Sequence, residues 1–266
     1  MLAGWLIFSR PTEMRMKPLF AALALAVAAL ATLPALAQNT APWSYEGRTG
    51  PVVWSKLDPA YAACNKGHQQ SPIDIRGAPL NKALEPIEFH YISGGVTFEN
   101  NGHTLLATVH PGSYIVADGV RYELVQFHFH RPGEEAIKGN LADMDVHLVH
   151  KAADGRLAVL AIRFQQDRDI PNALLSTLWQ HLPTAPGKSE TITEPINPGG
   201  FLPGDRSYWS YTGSLTTPPC TEGVRWFVFQ QDMTMSRSQF KLANALLHNN
   251  ARPLQEAHGR RIEASE

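Results

Sequence analysis

The sequence lacks the features that mark several common classes of protein. Charges are balanced, with 23 Lys and Arg against 24 Asp and Glu among 266 residues, so the basic excess of a general nucleic-acid binder is missing. Low-complexity segments are absent, which argues against disorder over the whole chain. Two cysteines are too few for a disulfide scaffold. The apolar run Leu19–Leu33 is shorter than the about 20 residues of a membrane-spanning helix.

Residues 1–37 are predicted to be a secretory signal peptide with an upstream extension, Met1–Glu13. Arg15 and Lys17 precede the apolar run, and Ala35-Leu36-Ala37 has the small-x-small pattern of a signal-peptidase site. A cleaved signal is therefore favoured over a membrane anchor. Residues 38–266 would then form one exported domain.

The predicted compartment determines what the two cysteines can do. The compartment of an exported protein is oxidising, so Cys64 and Cys220 are free to form a disulfide bond. The alternative is a pair of buried thiols.

The remaining sequence predicts a mainly β (α+β) fold. Short segments rich in Val, Ile, Phe and Tyr are separated by turn sequences such as Asp118-Gly119 and Asp154-Gly155, which are typical of hairpins. The predicted strands are Ile87–Tyr91, Val96–Asn100, Thr104–Val109, Tyr114–Val116, Arg121–His130, Met144–His150, Leu157–Phe164 and Val224–Gln230. We expect a single domain with a large central, mostly antiparallel twisted sheet and short peripheral helices.

Two helices and one long loop complete the predicted fold. The helices are Pro171–His181 and Arg237–His248, and Ser236 and Gln239 have the spacing of a capping box before the second. The segment Asn197–Pro219 is rich in Pro, Gly and aromatic residues and predicts a long ordered loop, a feature that is often functional.

Three histidines on two predicted strands suggest a metal site. Because side chains alternate between the faces of a strand, His128 and His130 share one face at a separation of about 6.6 Å. If the strand of His147 is a neighbour, three imidazoles can hold Zn²⁺ and leave one coordination position open, as in catalytic sites. Gln126 and Asp145 are placed to accept the second N–H of a ligand histidine, although both are also ordinary polar strand residues.

Several motifs follow one another in a fixed order. They are Gln69–Asp74 (QQSPID), Asn101–His103 (NGH), the QFHFH and HLVH strands, Gly213–Cys220 (GSLTTPPC), and the closing residues Asn250, Arg252 and Pro253. Each motif alone could arise by chance. The ordered set resembles the alpha-class carbonic anhydrases, and the signal peptide and cysteine pair resemble their secreted bacterial branch.

This resemblance implies a zinc-hydroxide enzyme that catalyses the reversible hydration of carbon dioxide to bicarbonate and a proton. His128, His130 and His147 would hold Zn²⁺. Thr216 would accept a hydrogen bond from the hydroxide and donate its own proton to Glu134. His103 would carry protons to buffer, since an ordinary histidine pKa lies near neutrality.

The resemblance also implies residues around the substrate. The apolar wall that receives CO₂ would consist of Val149, Val159, Leu215, Val224 and Trp226, each of which taken singly is equally an ordinary core residue. Thr217 would border bicarbonate, and Tyr45 and Asn101 would order water between the metal and His103.

Three residues depart from the family pattern. Asp145 stands where the family usually has glutamate and is one methylene shorter, so we expect it to reach His147 poorly or only through water, with weaker zinc retention or a shifted hydroxide pKa. Leu106 occupies a position that is often polar, which puts the proton-transfer water network in question. Glu135 stands where the family usually has a neutral or histidine side chain.

Two other functions fit parts of the sequence. A catalytically silent zinc-binding module on the same fold would be expected to have lost a ligand or Thr216. A cupin-type metal oxygenase would use His128, His130 and Glu134 to bind iron or manganese, but His147 comes too soon for the later cupin motif.

The resemblance also predicts partners. Carbon dioxide and bicarbonate are the expected substrates, and sulfonamides and anions the expected inhibitors. We expect no nucleic acid and, after signal cleavage, no membrane. A homodimer stays open, because bacterial relatives are often dimers and no feature of the sequence decides it.

Overall fold

Segments of alternating burial build most of this protein in the computed structural model, which describes Met1 and residues 42–167 and 170–266. The predicted signal peptide lies outside the described residues apart from Met1. The strands are β1 Asp74–Ile75, β2 Glu88–His90, β3 Gly94–Asn100, β4 Leu105–Val109, β5 Tyr114–Ala117, β6 Val120–His130, β7 Ala136–Ile137, β8 Met144–Ala152, β9 Leu157–Asp167, β10 Lys188–Ile196, β11 Tyr208–Ser214, β12 Glu222–Phe229, β13 Met233–Ser236 and β14 Glu263–Ala264. The α-helices are α1 Trp54–Leu57, α2 Ala63–Lys66, α3 Ala173–Leu178 and α4 Arg237–Leu247.

Twelve strands of the described part join in one sheet, in the order β10-β3-β4-β6-β8-β9-β12-β11-β14. Strand β5 pairs with β6, β2 with β5, and β13 with β9. Most neighbours are antiparallel, whereas β12 and β13 lie parallel to β9. The predicted fold class is therefore confirmed.

The two faces of the central strands have different environments. Phe127 and Phe129 of β6 and Val146 and Leu148 of β8 are fully buried in the main hydrophobic core. The alternate residues of both strands, which include the three histidines, point to the opposite face. The alternation predicted for these strands is thus confirmed, and the large apolar side chains anchor the sheet under the candidate metal site.

Both predicted helices are present, with shorter bounds. Helix α3 begins after Asn172, whose side chain accepts a hydrogen bond from the Leu175 N–H, and it continues into the 3-10 turn Trp179–His181. Helix α4 begins with the predicted capping box, in which Ser236 and Gln239 each bond to the other's backbone N–H.

The predicted loop Asn197–Pro219 is wrong in its middle, where β11 pairs with β12 on one side and β14 on the other. Gly213 in β11 interrupts the strand pattern in the sequence, but the packing at this position requires a glycine. A Cβ on Gly213 would lie 2.1 Å from the Ser71 Oγ atom, so only glycine fits.

Two further features bear on the expectations from the sequence. Cys64 and Cys220 form a disulfide bond, so the two cysteines pair rather than remain thiols. Among the described residues, no helix combines the length and the apolar character needed to cross a membrane.

Candidate active site

The register of β6 and β8 brings the three histidines together. His128 lies directly opposite His147 in this antiparallel pair, and His130 lies opposite Asp145. The ring centroids are 4.9 Å apart for His128 and His130, 5.5 Å for His128 and His147, and 4.7 Å for His130 and His147. One nitrogen from each ring lies within 4.8 Å of the others, so the three can bind one metal ion.

One nitrogen of each ring is engaged by the protein. Nδ1 of His128 donates to the Gln126 side-chain oxygen at 2.8 Å, and Nδ1 of His130 donates to the Asn250 carbonyl at 2.8 Å. Nε2 of His147 lies 3.2 Å from Oδ2 of Asp145. The nitrogens left for a metal are therefore Nε2 of His128, Nε2 of His130 and Nδ1 of His147. Such outer partners fix the tautomer and the orientation of ligand histidines.

The electrostatic environment keeps the first two rings neutral, as metal ligands must be. Burial lowers the pKa of His128 well below its ordinary value and that of His130 to about 4, and the neighbouring histidines lower both further. Burial acts on His147 in the same direction. The carboxylates of Asp145 and Glu135 outweigh it there and raise the pKa of His147 well above its ordinary value, which favours the protonated ring, so a metal that binds Nδ1 would have to displace a proton.

An orphaned atom tests whether a metal fits these residues. Nε2 of His130 is fully buried and has no hydrogen-bond partner among the described residues. A buried polar atom without a partner is costly, and a metal ion would satisfy it. Three imidazoles with free convergent nitrogens are also a donor set that Zn²⁺ prefers, so the site fits the metal.

Glu134 lies beside the histidines with its two oxygens in different environments. Oε1 accepts a hydrogen bond from the Arg252 N–H at 2.8 Å. Oε2 has no hydrogen-bond partner in the described part of the chain and lies 3.5 Å from Nε2 of His130. Burial, with the charges of Asp145 and Glu135, raises the pKa of Glu134 to about 8, against the opposing charge of His147.

The end of strand β11 positions the segment that contains the predicted Thr216. Thr216 is 5% exposed and lies two residues beyond the end of β11. The Ser214 N–H donates to Ser71 Oγ, and the Trp226 indole donates to the Ser214 carbonyl, so the strand end is fixed before Thr216. The Thr217 carbonyl accepts the Cys220 N–H and closes the following turn.

The five predicted wall residues belong to one hydrophobic cluster. Val159, Val224 and Trp226 are buried in it, and Val149 and Leu215 pack against it partly exposed. The Trp226 ring meets the His147 ring edge to face, with centroids 5.0 Å apart. An apolar surface therefore borders the third histidine, as a pocket for an uncharged molecule requires.

His103 lies at the end of the turn between β3 and β4. Its ring stacks on Trp43 with centroids 3.8 Å apart, and partial burial lowers its pKa below the ordinary value. Asn101 uses its side-chain oxygen to accept the N–H groups of His103 and Thr104, so it stabilises this turn. Tyr45 packs near Trp43 with ring centroids 5.3 Å apart.

Two contributors to the site were not predicted. The Asn250 carbonyl holds His130, and the Glu135 carboxylate lies 3.4 Å from Nε2 of His147. Nε2 of His147 lies 3.2 Å from Oδ2 of Asp145 without the full geometry of a hydrogen bond, so the expectation that Asp145 reaches His147 poorly stays a prediction. A carbonyl acceptor leaves no signal in the sequence, and Glu135 was noted only as a departure from a family pattern.

The sequence matches the family model described as eukaryotic-type carbonic anhydrase over residues 49–266. The chain belongs to the eukaryotic-type carbonic anhydrase family. A carbonic anhydrase from Klebsiella pneumoniae is 41% identical over 221 residues, which cover 82% of this chain and 89% of that protein. One from Pectobacterium carotovorum is 39% identical over 229 residues, which cover 86% and 93%.

Solved structures of carbonic anhydrases agree with this assignment. The alpha-carbonic anhydrase of Thermovibrio ammonificans, in complex with the inhibitor sulfanilamide, has a TM-score of 0.81 and 38% identity, over 85% of this chain and 99% of that one. The predictions of the carbonic anhydrase family, fold and enzyme class are confirmed. Nothing in the fold or in these matches favours the silent module or the cupin oxygenase.

Proposed function

We propose that this carbonic anhydrase catalyses the reversible hydration of carbon dioxide with Zn²⁺ held by His128, His130 and His147. The observation that carries the proposal is the convergence of their three free ring nitrogens, one of which is buried without a partner. Zinc bound there supplies a Lewis acid that lowers the pKa of water, an effect for which carbonic anhydrases are the reference example.

Thr216 and Glu134 would orient the nucleophile. The Arg252 N–H fixes one oxygen of Glu134, and the other faces the histidines and is free to accept the Thr216 hydroxyl proton. A threonine that donates to Glu134 has its oxygen lone pair left as an acceptor, which directs the nucleophile toward substrate. The Thr216 N–H would stabilise the developing oxyanion.

The apolar cluster would bind carbon dioxide. Val149 and Val159 are register partners on neighbouring strands, and Trp226 is the partner of Val159 on the next strand. With Leu215 and Val224 they would make a wall that offers no hydrogen bond and so favours uncharged CO₂ over water. Thr217, half-buried at the end of this wall, would border the bicarbonate product.

His103 would transfer protons between the site and buffer, with Tyr45 and Asn101 ordering the water between. The support is the partly exposed position of the His103 ring, whose pKa is lowered by its partial burial. Histidine suits this role because its ordinary pKa lies close to physiological pH.

The predicted location follows from the leader. Residues 1–37 would act as a signal peptide and residues 38–266 as the mature periplasmic domain, for which the Cys64–Cys220 disulfide is an argument, since such bonds persist in oxidising compartments. Sulfonamide inhibition and a homodimer stay predictions.

Metal analysis combined with stopped-flow CO₂ hydration tests the function. We expect one zinc per mature chain, hydration activity that is lost with a chelator and restored by zinc, and inhibition by a primary sulfonamide. The control is His150→Gln, which removes a histidine on the opposite face of β8 and should retain zinc. Bound zinc without hydration would contradict the proposal in favour of a silent module, and iron or manganese would favour an oxygenase.

A further inference from the structure

Two buried carboxylates face the same N–H of His147. Asp145 Oδ2 lies 3.2 Å and Glu135 Oε2 lies 3.4 Å from Nε2, and all three side chains are at most 1% exposed. Neither contact meets the full geometry of a hydrogen bond. A single N–H therefore lies between two acceptors, and no other described residue contributes a polar contact to Nε2.

The Asp145 oxygen nearest to this N–H also has a second hydrogen-bond donor. Its Oδ2 atom also accepts the Glu134 N–H at 2.7 Å, which is shorter than its distance to His147. Its other oxygen, Oδ1, is buried and has no hydrogen-bond partner within residues 42–167 and 170–266. The short aspartate side chain thus reaches His147 with an oxygen that is already bonded to the backbone.

Glu135 is held so that one oxygen is left for His147. The Tyr211 hydroxyl donates to Oε1 at 3.1 Å, and the Ser71 hydroxyl lies 3.1 Å from the Tyr211 oxygen. Arg163 donates to the Glu135 carbonyl at 3.4 Å and fixes the backbone. The remaining oxygen, Oε2, has no hydrogen-bond partner among the described residues and lies 3.4 Å from Nε2 of His147.

We propose that Glu135 is a positioning residue that shares the Nε2–H of His147 with Asp145 and so holds Nδ1 toward the metal. This inference rests on the proposed function, because it supposes that His147 binds zinc. The hydrogen-bond chain from Ser71 through Tyr211 to Glu135 supplies the rigidity that the doubly used oxygen of Asp145 lacks. Outer partners of this kind typically change metal affinity by about 10–100-fold when they are removed.

The dissociation rate of zinc into an excess of chelator tests this role without relying on activity. Glu135→Gln keeps the size of the side chain and removes its charge, and we expect zinc to leave about tenfold faster. Tyr211→Phe removes the hydrogen bond to Oε1 of Glu135 without changing a contact of His147. It should increase the dissociation rate of zinc by a smaller factor. Asp143→Asn is the matched control, since the Asp143 carboxylate accepts the Gln166 N–H, and its rate should equal that of the wild type.

A second variant distinguishes positioning from a general structural role. Asp145→Glu lengthens the other carboxylate by one methylene, so in the Glu135→Gln background it should restore slow dissociation. The visible spectrum of the cobalt-substituted protein should change in Glu135→Gln and return toward the wild type in the double variant. A variant that only lost folding stability would keep the wild-type cobalt spectrum, so it would show neither the spectral change nor its reversal by Asp145→Glu.

Three outcomes would overturn the inference. One is a Glu135→Gln dissociation rate within twofold of the wild type, with Tyr211→Phe also unchanged, in a wild-type protein that holds one zinc and hydrates CO₂. Another is a second zinc bound by Glu135, Asp145 and His147, which lie close enough together to hold an ion. A wild-type protein that binds no zinc would instead overturn the proposed function, and the role of Glu135 with it.

Discussion

At the residue scale, two histidines that lie three positions apart on β8 have different surroundings and different roles. His147 faces the candidate metal site, whereas His150 faces the core, where its Nδ1 donates to the Leu148 carbonyl and its Nε2 accepts from the Tyr91 hydroxyl at 2.8 Å. Burial lowers the pKa of His150 to about 3. Both nitrogens of His150 are satisfied within the protein, so its contacts give it a structural role.

The neutral form of His150 makes folding stability depend on pH. The unfolded chain takes up this proton below about pH 6.5 and the folded protein only near pH 3, so stability falls as the pH drops between these values. We expect the loss in free energy of unfolding from pH 7 to pH 5 to be about 2 kcal/mol smaller in His150→Gln than in the wild type. Urea unfolding measures it, and the exposed His110→Gln should behave as the wild type does.

The proposed proton transfer predicts a specific kinetic defect in His103→Ala. Turnover should fall at low buffer concentration, because the step that removes a proton loses its carrier, and imidazole in solution should restore part of it. The rate of CO₂ and bicarbonate interconversion at chemical equilibrium, which needs no net proton release, should stay near the wild-type value. A variant that matches the wild type at every buffer concentration would disprove this assignment.

At the element scale, strand alternation is what the sequence predicts best. The β6 and β8 patterns place phenylalanines inward and histidines outward, and each of the eight predicted strands overlaps an observed strand. Strand β10 was not predicted because seven of its nine residues are exposed at the edge of the sheet, so it lacks an alternating signal. Strand β11 was not predicted because the glycines and prolines around it are typical of a loop.

The site, like the fold, was only partly predictable from the sequence. His128, His130 and His147 could be predicted, because residue type and spacing carry the metal chemistry. Their outer contacts depend on long-range packing. The Asn250 carbonyl meets His130 across 120 positions of the chain, and a backbone oxygen has no residue preference that a sequence reveals.

Helix α4 depends on one buried side chain. The Gln239 oxygen accepts the N–H groups of Ser236 and Asn172, and its amide nitrogen donates to the Asn172 carbonyl. Gln239→Leu would leave these buried groups unpaired and should lower the free energy of unfolding by about 3 kcal/mol. Urea unfolding of the zinc-loaded protein measures it. Ser238→Ala in the same turn should cost less than about 1 kcal/mol, and equal losses for both would contradict the role of Gln239.

At the scale of the whole molecule, the disulfide joins distant parts of the chain. Cys64 lies in α2 and Cys220 lies four residues after Thr216, with 156 positions between them. The bond therefore restricts the unfolded chain and holds the segment that carries Thr216 against the N-terminal helices. The Cys64 carbonyl also accepts a hydrogen bond from Arg252, whose N–H binds Glu134.

Removal of this bond should cost stability throughout the molecule. Loop-closure entropy gives an upper value of about 5 kcal/mol for a loop of this length. We expect the double variant Cys64→Ala, Cys220→Ala to lose about 2–5 kcal/mol in free energy of unfolding, measured with guanidinium. Reductant should destabilise the wild type to a similar extent and leave the variant unaffected, and a wild-type protein indifferent to reductant would contradict the prediction.

The Asn250 contacts have a consequence for the order in which this protein matures. Its carbonyl binds His130, its side chain bonds to Arg131 and to the His103 carbonyl, and Arg252 follows with its bond to Glu134. The three histidines lie in the middle of the sequence together with Gln126 and Asp145, but the acceptor for His130 lies near the end of the chain. A nascent chain that ends before Asn250 therefore lacks the acceptor for His130, and we expect the complete metal site to form only after residues 250–252 have been synthesised.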